Sequence, residues 1–117
     1  MLDAIIRRAH AQLAAPAMQG VMRIIIAEGQ RFPDLLDIYH RQAISKGRGL
    51  IEALVVRGIA RGEFHPGAAL AELPMVLFSP ALMAALWQMM FGARDPIAAD
   101  RFMEAHLDLV KSGLGVR

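Results

Sequence analysis

The segment RIIIAEGQRFPDL, residues 23–35, contains signals for a helix end and a helix start. Ile25 and Ile26 extend a helical spacing of apolar residues that begins near Pro16. Gly29 follows them, and glycine commonly ends a helix in the left-handed conformation. Pro33 suits a first helical turn, where a missing amide hydrogen costs little. The segment therefore predicts a helix over 16–29, a short turn, and a new helix from residue 33.

The rest of the chain shows the same helical spacing, and no run alternates long enough to indicate a strand. Breaking residues divide it into segments at 3–13, 16–29, 33 to a joint near 45–47, then 46–61, 68–91 and 96–112. Pro80 is expected to bend or divide the 68–91 segment, and Asp95-Pro96 resembles a capped helix start. We therefore predict an all-α protein, with residues 1–117 forming one helical bundle domain of six or seven helices.

Apolar side chains are unusually frequent for such a short chain. They make up 56% of the 117 residues, against a usual share of ~45–50% that also counts glycine. A small monomer has too much surface for its volume to hide so many apolar groups. We expect the surplus to line a ligand cavity and to form a subunit interface.

Charge and cysteine content exclude several classes of function. The net charge is only +2, and the eleven arginines are spread from Arg7 to Arg117 without a basic run beyond Arg7-Arg8. A nucleic-acid-binding domain should instead concentrate its positive charge on one face. The absence of cysteine rules out disulfides and thiolate sites. Charged residues near the N-terminus interrupt any signal peptide, so we expect a cytoplasmic setting.

Residues 73–93 carry no charge, and about twenty apolar residues can span a bilayer. Pro74 and Pro80 argue against a span because each removes a helical hydrogen bond. Ser79 and Gln88 add polarity to the segment. We therefore expect no membrane contact and predict a helix buried between subunits.

No catalytic or metal-binding pattern is present. The four histidines lack the close spacing of metal ligands on one helix. Ser45, Ser79 and Ser112 lie in no nucleophile-elbow pattern, and no carboxylate pair suggests acid–base catalysis. We expect no enzyme activity, no metal and no cofactor.

The order of several phrases carries a family resemblance over about residues 18–109. RIIIAE at 23–28 and RFPDL at 31–35 are followed by Tyr39-His40 and then by ARGEF at 60–64. This order resembles the AefR-like branch of the C-terminal effector-binding and dimerisation domains of TetR/AcrR-family transcriptional regulators. Family members read DNA with a helix-turn-helix head of roughly fifty residues ahead of the first phrase, where this sequence has only Met1–Gly20. The resemblance implies the sensing half of a regulator, with operator DNA contacted only through a head that this chain lacks.

The resemblance also implies how two copies pair. The last two long helices, 68–91 and 96–112, should pack with their copies in a four-helix dimer interface. His106 shares a helix face with Leu109 and Val110, which suits an interface or core histidine. The candidate interface residues are Leu82, Leu86, Met90, Phe102, His106, Leu109 and Val110.

An effector pocket should then lie among the preceding helices, partly capped by the long apolar helix. Methionines suit an adaptable apolar pocket because they are flexible and polarisable. Tyr39, His40 and the indole of Trp87 can orient a small apolar or aromatic effector. Ordinary core or interface packing is the alternative reading for each of these residues. The candidate pocket residues are Met18, Met22, Tyr39, His40, Leu54, Phe78, Met83 and Trp87.

These expectations describe a homodimeric, ligand-sensing domain that acts by population shift: the effector binds one helix arrangement better and biases the dimer toward it. The alternative is a helical adaptor or membrane-associated module that uses the uncharged segment to contact lipid or a partner helix.

Overall fold

The computed structural model of the chain describes residues 2–65 and 74–116. Within these ranges all regular structure is helical, as predicted, and no strand occurs. The elements are α1 (Leu2–Ala14), α2 (Pro16–Glu28), α3 (Pro33–Tyr39), a π-helical turn (His40–Ile44), α4 (Ser45–Ala60), α5 (Pro74–Phe91) and α6 (Ala99–Leu114).

The irregularity predicted near residues 45–47 is a π-helical turn just before this position, not a joint between two helices. α3, the π-helical turn and α4 follow one another without a break, so the described residues form five separate helices rather than six or seven. Ser45 has ordinary right-handed helical angles (φ −62°, ψ −39°), and its amide donates to the His40 carbonyl. A π turn accommodates an extra residue inside a helix without ending it. Gly47 and Gly49 therefore lie within α4.

Gly29 follows α2, but not in the left-handed conformation that the sequence suggested. Its φ is −57°, and its amide donates to the Ile25 carbonyl. A Cβ at this position would come within 2.7 Å of the Leu36 side chain. Crowding by the Ile25 carbonyl and the Leu36 side chain, rather than backbone handedness, therefore favours glycine at this position. Pro33 opens α3 as predicted, because Phe32 before it adopts a non-helical conformation.

The end of α4 agrees with the prediction. Gly62 has φ +75°, the left-handed region that favours glycine. The chain then turns back, and the amides of Glu63 and Phe64 donate to the Gly58 carbonyl. Phe64 is buried, and its ring occupies the space that a side chain at Gly58 would fill. The predicted loop at 63–67 is described only as far as His65.

α5 is a single helix, although Pro80 lies inside it. Proline removes one backbone donor, but the helix continues for eleven residues beyond it. The Ser79 hydroxyl donates to the Met75 carbonyl one turn earlier. Pro80 therefore does not divide the segment, and the predicted start at 68–73 lies outside the described residues.

α6 begins later than predicted. Its first residue is Ala99, and no side chain caps it. The Asp95 amide donates to the Phe91 carbonyl, so Asp95 belongs to the turn that closes α5. The C-terminal end of α6 packs against the rest of the chain. Leu114 is fully buried, and its carbonyl accepts a 2.7 Å hydrogen bond from the His65 amide.

One apolar core joins α1, α4, α5 and α6. α1 packs against α5 and α6, and α4 packs against α5. The ion pairs Lys111–Asp3 and Arg7–Glu104 also link α6 to α1, but they are exposed and add at most about 1 kcal/mol each. The buried core residues are Leu2, Ile6, Ile51, Leu54, Val55, Phe64, Leu77, Leu107, Val110 and Leu114.

The molecule is flat, with principal extents of 44 × 34 × 19 Å. The shortest extent is close to two helix diameters of about 10 Å each. The radius of gyration is 15.4 Å, whereas a compact domain of this length has about 13 Å. A thin layer of helices leaves apolar residues on its outer faces. No helix among the described residues is long and apolar enough to cross a bilayer.

Candidate ligand groove and pairing surface

The larger of two grooves lies between α1 and α4, with Phe78 of α5 at its side. It encloses about 530 Å³, within the range of small-molecule sites. On each helix the lining residues recur every three or four positions, so one stripe of each helix forms a wall. This α1–α4 groove is lined by Ile5, Arg8, Ala9, Gln12, Gly47, Leu50, Ile51, Ala53, Leu54, Arg57 and Phe78.

The floor of the α1–α4 groove is apolar and continuous with the core. Ile51 and Leu54 are buried core residues, and Phe78 packs against the same cluster. Gly47 lies on the α4 wall, and a Cβ built there would meet nothing within 4 Å. The absent side chain therefore leaves open space that a bound molecule can occupy.

A second groove lies between α1, α5 and the start of α6. It encloses about 360 Å³, and six of its thirteen lining residues are alanine, whose small side chain lets the helices approach closely. Arg7 on its edge forms an ion pair with Glu104. This α1–α5 groove is lined by Arg7, His10, Ala11, Ala14, Gln19, Ala81, Ala84, Ala85, Gln88, Ile97, Ala99, Asp100 and Met103.

His10 and His106 form a hydrogen-bonded pair at this second groove. His106 Nε2 lies 2.7 Å from the Leu77 carbonyl, which can only accept, so Nε2 carries the proton. Neutral His106 Nδ1, 2.8 Å from His10 Nε2, then accepts from that nitrogen. Desolvation by burial lowers the pKa of both histidines; the neighbouring His106 lowers that of His10 further, whereas the Leu77 carbonyl partly opposes the shift at His106. The pair therefore holds α1, α5 and α6 together in its neutral form.

The structure brings two of the eight candidate pocket residues into one groove. Leu54 and Phe78 both line the α1–α4 groove. Met18 and Met22 lie on α2, half-buried and buried respectively. Tyr39 is half-buried at the end of α3.

The three remaining pocket candidates lie elsewhere. His40 is exposed in the π-helical turn, with its Nδ1 3.5 Å from the Ser45 hydroxyl. Met83 is 52% exposed on α5. Trp87 packs on Phe91, and its indole nitrogen donates to the Asp95 carbonyl at 2.7 Å. The convergence of all eight residues on one effector site stays a prediction.

The candidate interface residues fall into three classes of solvent exposure. Leu82, Met90 and Leu109 are exposed, whereas Leu86 and Phe102 are half-buried. His106 and Val110 are buried within the chain itself, at 3% and 1% exposure. The pairing role of all seven stays a prediction.

The exposed and half-buried candidates, apart from Leu82, belong to two largely apolar columns. On α5, Val76, Ser79, Met83, Leu86 and Met90 follow alternating spacings of three and four. On α6, Phe102, Ala105, Leu109 and Ser112 do the same. This is the spacing of a helix seam that packs against another helix. We call these residues the α5 column and the α6 column.

Arg8, Arg57 and Gly47 were not among the sequence-predicted site residues. Arg8 and Arg57 lie three residues from the apolar positions Ile5 and Leu54, which is the spacing of one helix face. That signal existed in the sequence. What it could not provide was the tertiary placement of α1 beside α4.

Among the described residues, no three histidine, aspartate or glutamate side chains converge in a way that could hold a metal ion. No buried side-chain nitrogen or oxygen there lacks a hydrogen-bond partner.

The comparison with protein families gives a match over residues 2–110 to the description "Tetracyclin repressor-like, C-terminal domain". The chain belongs to this family. No curated protein and no solved structure matches it significantly.

TetR-like C-terminal domains are parts of transcriptional regulators, in which they typically bind ligands and dimerise. The match extends the resemblance from residues 18–109 to include all of α1. In this TetR-like domain, α1 is therefore part of the family fold, and it supplies one wall of each groove.

Proposed function

We propose that this chain is the effector-sensing and homodimerising domain of a TetR-like transcriptional regulator. The α1–α4 groove is the effector site, and the α5 and α6 columns are the pairing surface. The family match over residues 2–110 is the observation that carries this proposal. The effector is small and largely apolar, the domain has no enzymatic role, and it acts in the cytoplasm. Operator DNA is contacted by a head domain rather than by these helices.

The composition of the α1–α4 groove supports an apolar effector. Ile51, Leu54 and Phe78 offer a continuous apolar surface, and burial of such surface yields about 25 cal/mol per Å². The volume of about 530 Å³ accommodates a molecule of drug-like size.

The placement of α5 supports communication between the groove and the pairing surface. Phe78 lines the groove, while Met83 of the α5 column, on the same helix, is 52% exposed. A ligand that shifts Phe78 therefore acts on the helix whose other face carries the α5 column. A ligand that favours one position of α5 biases the dimer toward the matching arrangement.

Binding of 1-octanol tests the groove directly, because two glycines on α4 provide a matched pair of variants. Gly47 lines the groove and Gly49 does not, yet a Cβ at either position meets nothing within 4 Å. Gly47→Trp should fill the groove and reduce 1-octanol affinity at least tenfold in isothermal titration calorimetry. Gly49→Trp should leave the affinity unchanged, and neither variant should lose helicity because glycine is unfavourable inside helices.

Equal 1-octanol affinity in the wild-type chain and Gly47→Trp would show that the α1–α4 groove is not the binding site.

A helical adaptor would use the same exposed columns to bind a different protein. Self-association in the absence of any partner separates the sensor from that alternative.

A further inference from the structure

The α1–α4 groove carries two guanidinium groups without acidic partners. Arg8 on α1 and Arg57 on α4 both line it, one from each wall. Neither forms an ion pair or hydrogen bond within residues 2–65 and 74–116, where the ion pairs use Arg7, Arg31, Arg48 and Lys111 instead.

The groove lining contains no acidic side chain at all, so its formal charge is +2 from Arg8 and Arg57. The α1–α5 groove differs in this respect. There Arg7 is paired with Glu104, and Asp100 also lines the wall. The positive charge of the α1–α4 groove is thus uncompensated by its surroundings, beside an apolar floor.

We propose that the effector of this groove is an amphiphile with an oxyanion head, a carboxylate or a phosphate, and an apolar tail. The inference rests on the proposed function of the groove. The planar guanidinium groups of Arg8 and Arg57 bind the head through charge-assisted hydrogen bonds, for which their geometry is well matched. The tail lies on Ile51, Leu54 and Phe78.

The two arginines come from different helices, so binding of the anionic head can change how α1 and α4 are arranged. A head bound by both Arg8 and Arg57 joins α1 to α4, and both helices pack against α5. A tail alone contacts the floor without joining the walls. Charged and neutral ligands with the same tail therefore differ in their effect on α5.

Three probes with the same eight-carbon tail test the head: octanoate, octyl phosphate and 1-octanol. We expect at least one anion to bind the wild-type chain about tenfold or more tightly than 1-octanol at low salt, since charge-assisted hydrogen bonds contribute that much. The ranking of octanoate against octyl phosphate distinguishes a carboxylate head from a phosphate head. The preference should shrink as salt rises, because both arginines are exposed.

The arginine variants locate this preference. Arg8→Met and Arg57→Met each keep a long apolar stem while removing the charge. The double variant should bind the anions no more tightly than 1-octanol. Arg23→Met is the matched control, since Arg23 is an exposed arginine on α2 that lines neither groove and has no ion pair among the described residues.

The outcomes separate this inference from the proposed function. Anions that bind no better than 1-octanol, or a double variant that keeps the preference, would overturn the oxyanion head. The assignment of the groove as the effector site would still be supported if Gly47→Trp blocks binding of 1-octanol. If no probe binds in a way that Gly47→Trp blocks, the groove and the inference both fall.

Discussion

The inward and outward faces of α5 are both apolar, but they have different surroundings. Leu77, Ala81 and Ala85 point inward and are 2%, 1% and 4% exposed. Met83 and Met90 point outward and are 52% and 60% exposed. The inward face touches α1, α4 and α6 of its own chain. The outward face has the composition of a core without the neighbours, which is the property of a surface that another helix covers.

α6 shows the same contrast between two adjacent residues. Val110 is 1% exposed in the core, whereas Leu109 beside it is 62% exposed in the α6 column. Arg101 and Asp108, both exposed, accompany that column. The outer apolar surface of α6 is therefore narrow, while that of α5 is broad. We infer that α5 forms the centre of the pairing surface and α6 its flank.

The largest predicted effect is the loss of stability when Val110, the inward residue of the two compared on α6, is replaced. Val110→Asp places a carboxylate in the core, where burial of an unpaired charge costs several kcal/mol. Because typical domains have only about 5–15 kcal/mol of stability, we expect loss of the cooperative thermal transition in circular dichroism. A folded Val110→Asp chain with an unchanged melting temperature would show that Val110 is not a core residue.

Replacing Leu109, the outward residue, should weaken dimer assembly without unfolding the chain. Leu109→Asp should raise the dimer dissociation constant at least about 100-fold, because a two-fold interface loses two buried leucines. Sedimentation velocity measures the shift. Gln30→Asp adds the same charge on an exposed turn and should leave the dissociation constant unchanged. An unaltered dimer in Leu109→Asp would exclude the α6 column from the interface.

The smallest predicted effect is a pH dependence from His10 and His106. Both pKa values lie below the usual 6.5 in the folded chain, so the unfolded chain binds more protons as pH falls below 6.5. Stability from this pair is therefore fully present above pH 6.5 and decreases as pH falls toward the lowered pKa values. A first proton can be accepted by His10 Nδ1 with the hydrogen bond between the rings kept, but a second, on His106 Nδ1, would place two N–H groups face to face at 2.8 Å.

Melting temperatures between pH 8 and pH 5 measure this dependence. We expect a flat curve above pH 7 and a decrease of a few degrees below pH 6.5. His10→Gln should reduce the decrease. His40→Gln, an exposed histidine of the π-helical turn, is the control and should not change it. A wild-type curve that rises on acidification would contradict the assignment of a neutral pair.

Sequence reasoning predicted the fold class and several helix limits, because these depend on local signals. Pro16 and Pro33 open helices and Gly62 ends one, as local backbone chemistry requires. Sequence reasoning failed at positions whose role depends on tertiary contacts. A side chain at position 29 would crowd Leu36, which the sequence does not reveal. The Asp95 carbonyl accepts a hydrogen bond from the Trp87 indole, a contact that the sequence does not reveal either.

The site was harder to predict because it depends on which helix faces meet. Leu109 and Val110 are both apolar, and helical spacing alone does not say which of them faces the chain's own core. Leu54 and Phe78 were identified from the sequence, but Arg8 and Arg57 gain significance only when α1 lies beside α4. A polar residue at the edge of an apolar stripe looks like ordinary surface until its neighbours are known.

The molecular mass of the wild-type chain in solution tests the central claim most directly. We propose that the outward face of α5 pairs with a second copy, so sedimentation equilibrium at micromolar concentration without detergent or partner should give about twice the 12.8 kDa of one chain. A mass of 12.8 kDa that persists across the whole concentration range would mean that the α5 and α6 columns do not pair with themselves.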